Sequence, residues 1–481
     1  MSGFPDAENT PLLIINKSDN DGLYRRFSKP QKRLIVATIS WAGLIPFFLS
    51  GSFIPSIPQV AEDLHSTAAI ISLSISFSTF ASGFGTLFWG TYSGYYGRRP
   101  IYLASIPFLI VGSLGSALSM TVPQLFLWRS VQAFGAGSGM SVGSAVIGDI
   151  YRLEERGTAL GIFLAVQLIG PAVGPLLGGL ATHYASWRVS QWLLCIGSIL
   201  TFILAFIILP ETSHPGSKGM DKVQSGNRRR FVFINPLKSL WMLRSPVLLM
   251  QSIIGALILL TDFVLWVPLP YTIGQRYGIS NEALIGACFL PSGLGNLSES
   301  NSSFAVCSYS WGTVGAPIAG RLSDKLLIRL RAKRGGKWVP EDRIRGTEFG
   351  SLFLVPVSVA LAGIASRYID GIPGIILNLV ALLLNGLGVV FVLAPVGTYI
   401  VDVFQDKSAE ATAATYGMRI FLAAIITSGI MPCIDRYGVL ITDMLSASLA
   451  WVAYGMLIFT IRYGDSLRAF VDVGFSTTQP Q

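Results

Sequence analysis

Apolar stretches long enough to cross a bilayer recur along this chain and leave few alternatives for its fold. They occupy about 34–57, 70–90, 101–119, 124–149, 157–180 and 187–209. After a polar, basic interval they resume at about 247–272, 282–322 (interrupted), 349–366, 373–401, 410–432 and 440–461. A helix needs roughly 20 apolar residues to span the hydrocarbon core. In lipid its backbone groups must be satisfied within the segment itself. The pattern predicts an all-α membrane protein of twelve transmembrane helices, six and six. Only 13% of residues are charged, against about 25% in a soluble domain, and the mean hydropathy is +0.58.

The predicted division is a disordered cytoplasmic N-terminus at 1–33, a six-helix bundle at 34–209 and a cytoplasmic linker at 210–246. A second bundle follows at 247–462 and a cytoplasmic tail at 463–481. The polar start followed by a full-length apolar run argues against a secretory signal peptide.

The formal charge of +9 does not indicate a nucleic-acid partner, because the Lys and Arg residues cluster in alternate loops. Placing both termini on one side puts 29 of them on that side and four (Arg188, Arg276, Arg367, Arg436) on the other. Cytoplasmic loops carry this excess, so both termini are expected in the cytoplasm and the plasma membrane is the expected residence. Cysteines 195, 288, 307 and 433 are scattered, with no zinc spacing or disulfide framework. No nucleophile–base pair, phosphate loop or metal cluster suggests an enzyme.

Within the fifth run lies Gly170, Pro171, Gly174, Pro175, Gly178 and Gly179. Prolines are tolerated in membrane helices when neighbours satisfy the freed carbonyls. Glycines four apart let a second helix approach backbone to backbone. This helix is expected to lie tightly against a partner at the interface between bundles. A weak repeat links the halves: aligning Gly90 with Gly320 also aligns Gly85 with Gly315 and Ser93 with Ser323. Two six-span halves related this way form a parallel repeat.

These features together resemble the major facilitator superfamily. Gly90 to Arg99 is similar to its signature loop between spans 2 and 3. Arg129, Gln132 and Gly135 resemble the span 4 motif of proton-coupled members, and Gly170 to Gly179 the span 5 antiporter motif. With Trp89-Gly90, Arg98-Arg99-Pro100 and Glu154-Glu155-Arg156-Gly157 added, the chain resembles twelve-span fungal drug:proton antiporters. The resemblance implies two six-helix bundles that rock about a central site. It also implies a proton gradient as energy source in place of a cofactor, a small-molecule substrate and a functional monomer in the bilayer. One departure stands out. The family pattern has an Asp where this chain has Gly94, although the second-half copy keeps Asp324. Gly90, Gly97, Arg98, Arg99 and Asp324 are the expected gating residues. Without the first carboxylate, Arg98 and Arg99 are left to lipid headgroups or helix C-termini.

Ionisable side chains inside spans are functional candidates, because leaving them unpaired in hydrocarbon costs several kcal/mol. Three stand out: Arg129 in span 4, Asp262 in span 7 and Arg419 in span 11. The resemblance implicates Arg129 in proton coupling. Asp262 is the best candidate for a carried proton, since desolvation favours the neutral form of a carboxylic acid. Arg419 serves either as a substrate contact or as a tie between helices. Gln132, Gln167, Gln251, Trp266, Tyr271, Asn378 and Asn385 are cavity candidates, each with helix–helix bonding as its plain alternative. One buried acid against two buried arginines tilts the substrate toward anions or neutral molecules. The expected function is proton-coupled export of a small organic molecule or drug. An organic-acid or secondary-metabolite exporter is the alternative, and a non-transporting sensor a weaker one.

Span 8 is interrupted by the Ser-rich segment 297–314. It reads as a retained intron or mistaken gene model, a real extracellular excursion, or an alternative isoform. Asn296 and Asn301 open glycosylation sequons that count only if the segment reaches the lumen.

Overall fold

The computed structural model describes residues 26–151, 153–213, 234–279, 281–292, 339–404 and 408–470. Asp324, the second copy of the repeat and the 297–314 segment lie outside these residues. All regular structure among the described residues is helical. Nine stretches there are long and apolar enough to cross a membrane.

In the first half α1 (Lys29–Phe53) runs through a 3-10 turn into α2 (Ile57–Asp63), followed by α3 (Ala68–Tyr96) and α4 (Arg98–Ala117). Next come α5 (Val122–Ala136), α6 (Ser138–Ile150), α7 (Leu153–Tyr184) and α8 (Trp187–Ile208). The first helix thus starts five residues before its apolar run. Ser28 and Gln31 form a capping box there, which lets the polar turn Lys29–Arg33 join the helix. Gly97, at φ +105°, ends α3 and opens α4. That left-handed backbone suits a residue without a Cβ.

The second half opens with a 3-10 turn, Pro236–Arg244, inside the predicted linker. It continues through α9 (Pro246–Trp266), a π turn Pro270–Gln275 and α10 (Glu282–Ala287). After the undescribed segment come α11 (Glu341–Ile344), α12 (Val355–Tyr368), α13 (Gly371–Val403), α14 (Ser408–Ser428), α15 (Ile430–Tyr437) and α16 (Val439–Phe470). The last helix extends beyond 462. Its end is held by Arg468, which donates to Glu341 and Asp465.

The apolar cores show how the halves meet. At the end of the bundle away from the basic loops, one continuous core draws on both halves. Phe53, Ile57, Ile71 and Trp187 meet Leu265, Leu269, Ile285 and Phe289. At the basic end there are two cores. One is built from the first half, with Ile35, Trp89, Tyr102 and Phe163. The other is built from the second, with Val247, Ile344, Tyr399 and Leu457. Apolar side chains such as Ile196, Phe206, Ile207 and Ile425 stay exposed around the periphery, as a bilayer requires.

Candidate functional site

The span 5 motif explains how the halves touch. Helix α7 uses its glycines on two faces. Gly170 lies against Phe47, Gly174 against Phe48 and Ser52, and Gly178 against the backbone of Ser52, all on α1 of the same half. A methyl group at Gly178 would overlap the Ser52 carbonyl. Gly179 instead faces the Glu282 carbonyl at the start of α10, in the other half, and Gly286 returns the approach against Pro175. His183 adds a 3.0 Å contact to Glu282 across the same seam. On the opposite side of the bundle α3 meets α14. The rings of Phe80 and Phe421 are 5.0 Å apart, and Gly83 and Gly417 admit Ile420 and Leu87.

Arg129, Asp262 and Arg419 are all buried, at 1%, 4% and 8% exposure. Each occupies a setting of its own. The Arg129 guanidinium stacks 3.7 Å from the centroid of the Phe53 ring, while its Nε and Nη1 lack hydrogen-bond partners. A desolvated cation–π contact is worth about 2 kcal/mol or more, less than the several kcal/mol that an unpaired intramembrane charge costs. The site therefore retains unused hydrogen-bonding capacity. Arg419 packs on Gly255 of α9, where no side chain intervenes, and its Nε is also unpartnered. Asp262 accepts a 2.8 Å hydrogen bond from the Asn385 amide, and the Asn385 carbonyl accepts one of 3.2 Å from Ser358. Among the described residues no ion pair joins Asp262 to either arginine. Phe53 and Leu265 belong to the shared core, so Arg129 and Asp262 both sit at its edge.

The other candidates divide. Gln132 donates to Ser113 and Gln191 within its own bundle. Gln251 reaches Thr460 on α16 at 3.5 Å. Trp266 donates to Ser292, and Asn378 bridges Ser366 and Tyr277. These four therefore make the helix–helix bonds of the plain reading. Gln167, beside Gly43 of α1, and the Tyr271 hydroxyl are buried without partners.

Gly90, at the start of the signature loop, lies in van der Waals contact with Ser141. The loop itself departs from expectation. Arg98 is not left to lipid. Its Nε pairs with Asp149 at 2.9 Å, its Nη1 donates to Ser93, and its backbone N–H donates to Glu211. Arg99 does meet a helix C-terminus, donating to the Phe206 carbonyl. Asp149 closes the fourth apolar run and Glu211 lies just past the sixth. No spacing rule links either to Arg98, so only the packed bundle reveals them.

A second correction concerns buried acids. Asp443, on α16, is 2% exposed, and its Oδ1 has no hydrogen-bond partner. It lies three residues inside the last predicted apolar run, a fourth ionisable side chain beside Arg129, Asp262 and Arg419. Within the predicted apolar runs, among the described residues, the buried acids Asp262 and Asp443 therefore stand against Arg129 and Arg419, two against two and not one against two.

Comparison with known proteins now identifies the class. A family model of the Major Facilitator Superfamily matches residues 39–428. The chain belongs to that family and is a multi-pass membrane transporter, not an enzyme. It is 25% identical over 491 residues to Citrate exporter 1 of Aspergillus niger, covering 95% of this chain and 91% of that one. It is 26% identical to Efflux pump radE of Floropilus chiversii, covering 90% and 80%. A shorter match, 33% over 188 residues, covers 39% of this chain and 27% of MFS antiporter QDR3 of Candida albicans. The human organic anion transporter MFSD10 (TETRAN) shares the fold, at TM-score 0.61 and 15% identity, over 89% of this chain and all of that one.

Proposed function

We propose that this chain is a proton-coupled antiporter that exports a small organic molecule by alternating access, with twelve spans and its basic end in the cytoplasm. In this reading the two separate cores at the basic end mark where the halves part to admit cytoplasmic substrate, and the shared core closes the outside. Asp262 carries this reading. It is a buried carboxylate that accepts from the neutral amide of Asn385, which Ser358 in turn holds, and among the described residues it pairs with no arginine. A neutral hydrogen-bonded setting accommodates both the protonated acid and, once water or substrate reaches it, the anion. A guanidinium partner would fix the anion. Arg129, three residues from the span 4 glutamine, couples this charge to substrate from the facing half.

Everted plasma-membrane vesicles with an acidic interior should accumulate labelled citrate or a cationic dye such as rhodamine. Asp262→Asn should reduce gradient-driven uptake to background while leaving substrate counterflow. Full gradient-driven uptake in that variant would overturn the role of Asp262.

An organic-anion substrate is the second reading. Arg129 and Arg419 favour it, because both guanidiniums are buried with unused donors, and a carboxylate substrate could supply the acceptors. The similarity to a citrate exporter over nearly the whole chain points the same way. Citrate uptake with the KM raised tenfold or more in Arg129→Gln and Arg419→Gln would favour an anion. Dye uptake unaffected by mono- and dicarboxylates would favour a drug pump.

A further inference from the structure

The second half holds a small, partly open cavity nearer its far end. It is lined by Asp443 and Val439 of α16, Ser366 of α12, Asn378 and Leu382 of α13, and residues of α9 and its π turn, including Leu265 and Thr272. A water centre has about 20 Å³ in which to sit. One ordered water needs roughly 10–15 Å³, whereas organic ligands occupy pockets of about 300–1,000 Å³. The cavity fits a water and excludes an organic substrate.

Among the described residues Asp443 is its only charged lining residue. Gly363 makes room for it: a Cβ there would come within 2.9 Å of the Asp443 Cβ and 3.1 Å of Oδ2. Other charged and titratable groups on the surrounding elements lie outside the lining. Tyr277 is bonded to the Ala365 and Ile369 carbonyls, Arg276 pairs with Asp370 at the surface, and Asp435 and Arg436 are exposed on α15. An anion with no cation nearby is costly in this setting. Asp262 lies less than a turn before Leu265, and Asn385 three residues after Leu382, so the cavity ends about one helical turn from the Asp262–Asn385 pair.

We propose that Asp443 and this cavity form a second proton-binding site, the outer stop on a route to Asp262 inside the second bundle. The carboxylate takes a proton from a hydronium in the cavity, becoming a neutral acid and leaving a water among Ser366, Asn378 and Thr272. The inference deepens the proton-coupled reading by giving Asp262 access to the outside that does not pass through the substrate cleft.

Infrared difference spectra of the full-length protein in lipid, titrated from acid to alkaline pH without substrate, test it. Two carboxylic C=O bands should disappear in the wild type. Asp443→Asn should lose one of them, Asp262→Asn the other, and Asp443→Glu should shift the first. Should Asp443→Asn fail to fold, Gly363→Ala keeps the acid but crowds it, and should shift the same band. A wild-type spectrum in Asp443→Asn, or an unmoved band in Gly363→Ala, would overturn this site while leaving Asp262 untouched. Loss of only the Asp443 band, with Asp262→Asn unchanged, would support this site and sink the Asp262 reading. Loss of the band on adding sodium chloride at fixed pH would make the ligand Na⁺ and overturn the proton.

Discussion

At the far end of the molecule the two halves share one apolar core, and at the basic end each half has a core of its own. Far-end helices from both halves share one core, and Gly179 lets the Glu282 backbone close against α7. At the basic end two polar links lie within a half. Arg98 holds Asp149 in the first, and Arg468 holds Glu341 in the second. The difference teaches how such a bundle can move. Apolar contact is non-directional and can part and re-form, whereas removing one partner of a buried ion pair leaves a costly uncompensated charge, so each pair resists separation of the helices it joins.

The largest effect should come from Gly179→Leu, which forces a side chain into the seam between halves. Overpacking costs about 1–3 kcal/mol, enough to shift the two-state equilibrium roughly 5- to 150-fold. Labelling of a cysteine placed at the far end should rise, with little loss of thermal stability. Gly178→Leu, whose neighbour Ser52 lies in the same half, should lower the melting temperature instead. Equal behaviour of the two variants would break the distinction between seam and bundle.

Next, Arg98→Ala and Asp149→Ala should each destabilise the first half by about 2 kcal/mol, less than a fully buried pair because both side chains retain some exposure. A double-mutant cycle on thermal unfolding should show coupling above about 0.5 kcal/mol. Additive effects would show that the pair does not hold this half together.

His183→Ala removes a seam contact whose side chains are 35% and 26% exposed. Such pairs contribute about 0–1 kcal/mol, so far-end cysteine labelling should change less than about fivefold. A larger change would make this contact a principal latch. Smallest of all, Gly94→Ala adds a methyl with nothing within 4 Å. It should leave transport unchanged and raise stability by at most about 1 kcal/mol, through helix propensity alone. Altered transport would show that this position still gates.

Much of the candidate site was legible as residue identity and little of it as partnership. Arg129, Asp262 and Arg419 were visible because charge inside an apolar run is conspicuous. That Asp262 would meet Asn385 was not, because those residues are 123 apart and helix periodicity relates only near neighbours. Gln132 looked like a cavity residue because it shares a face with Arg129. Packing directs its amide nitrogen to Ser113 and Gln191 and leaves its carbonyl oxygen buried without a partner.

The sequence alone determined that this chain is a bundle of membrane helices and which family it resembles, because hydrocarbon leaves the backbone no other arrangement and apolar length is a local property. Which acid meets which amide, where Arg98 finds its carboxylate, and at which end the halves join were decided only in three dimensions. Those pairings depend on how distant helices rotate and pack against one another, and no single stretch of sequence carries that information.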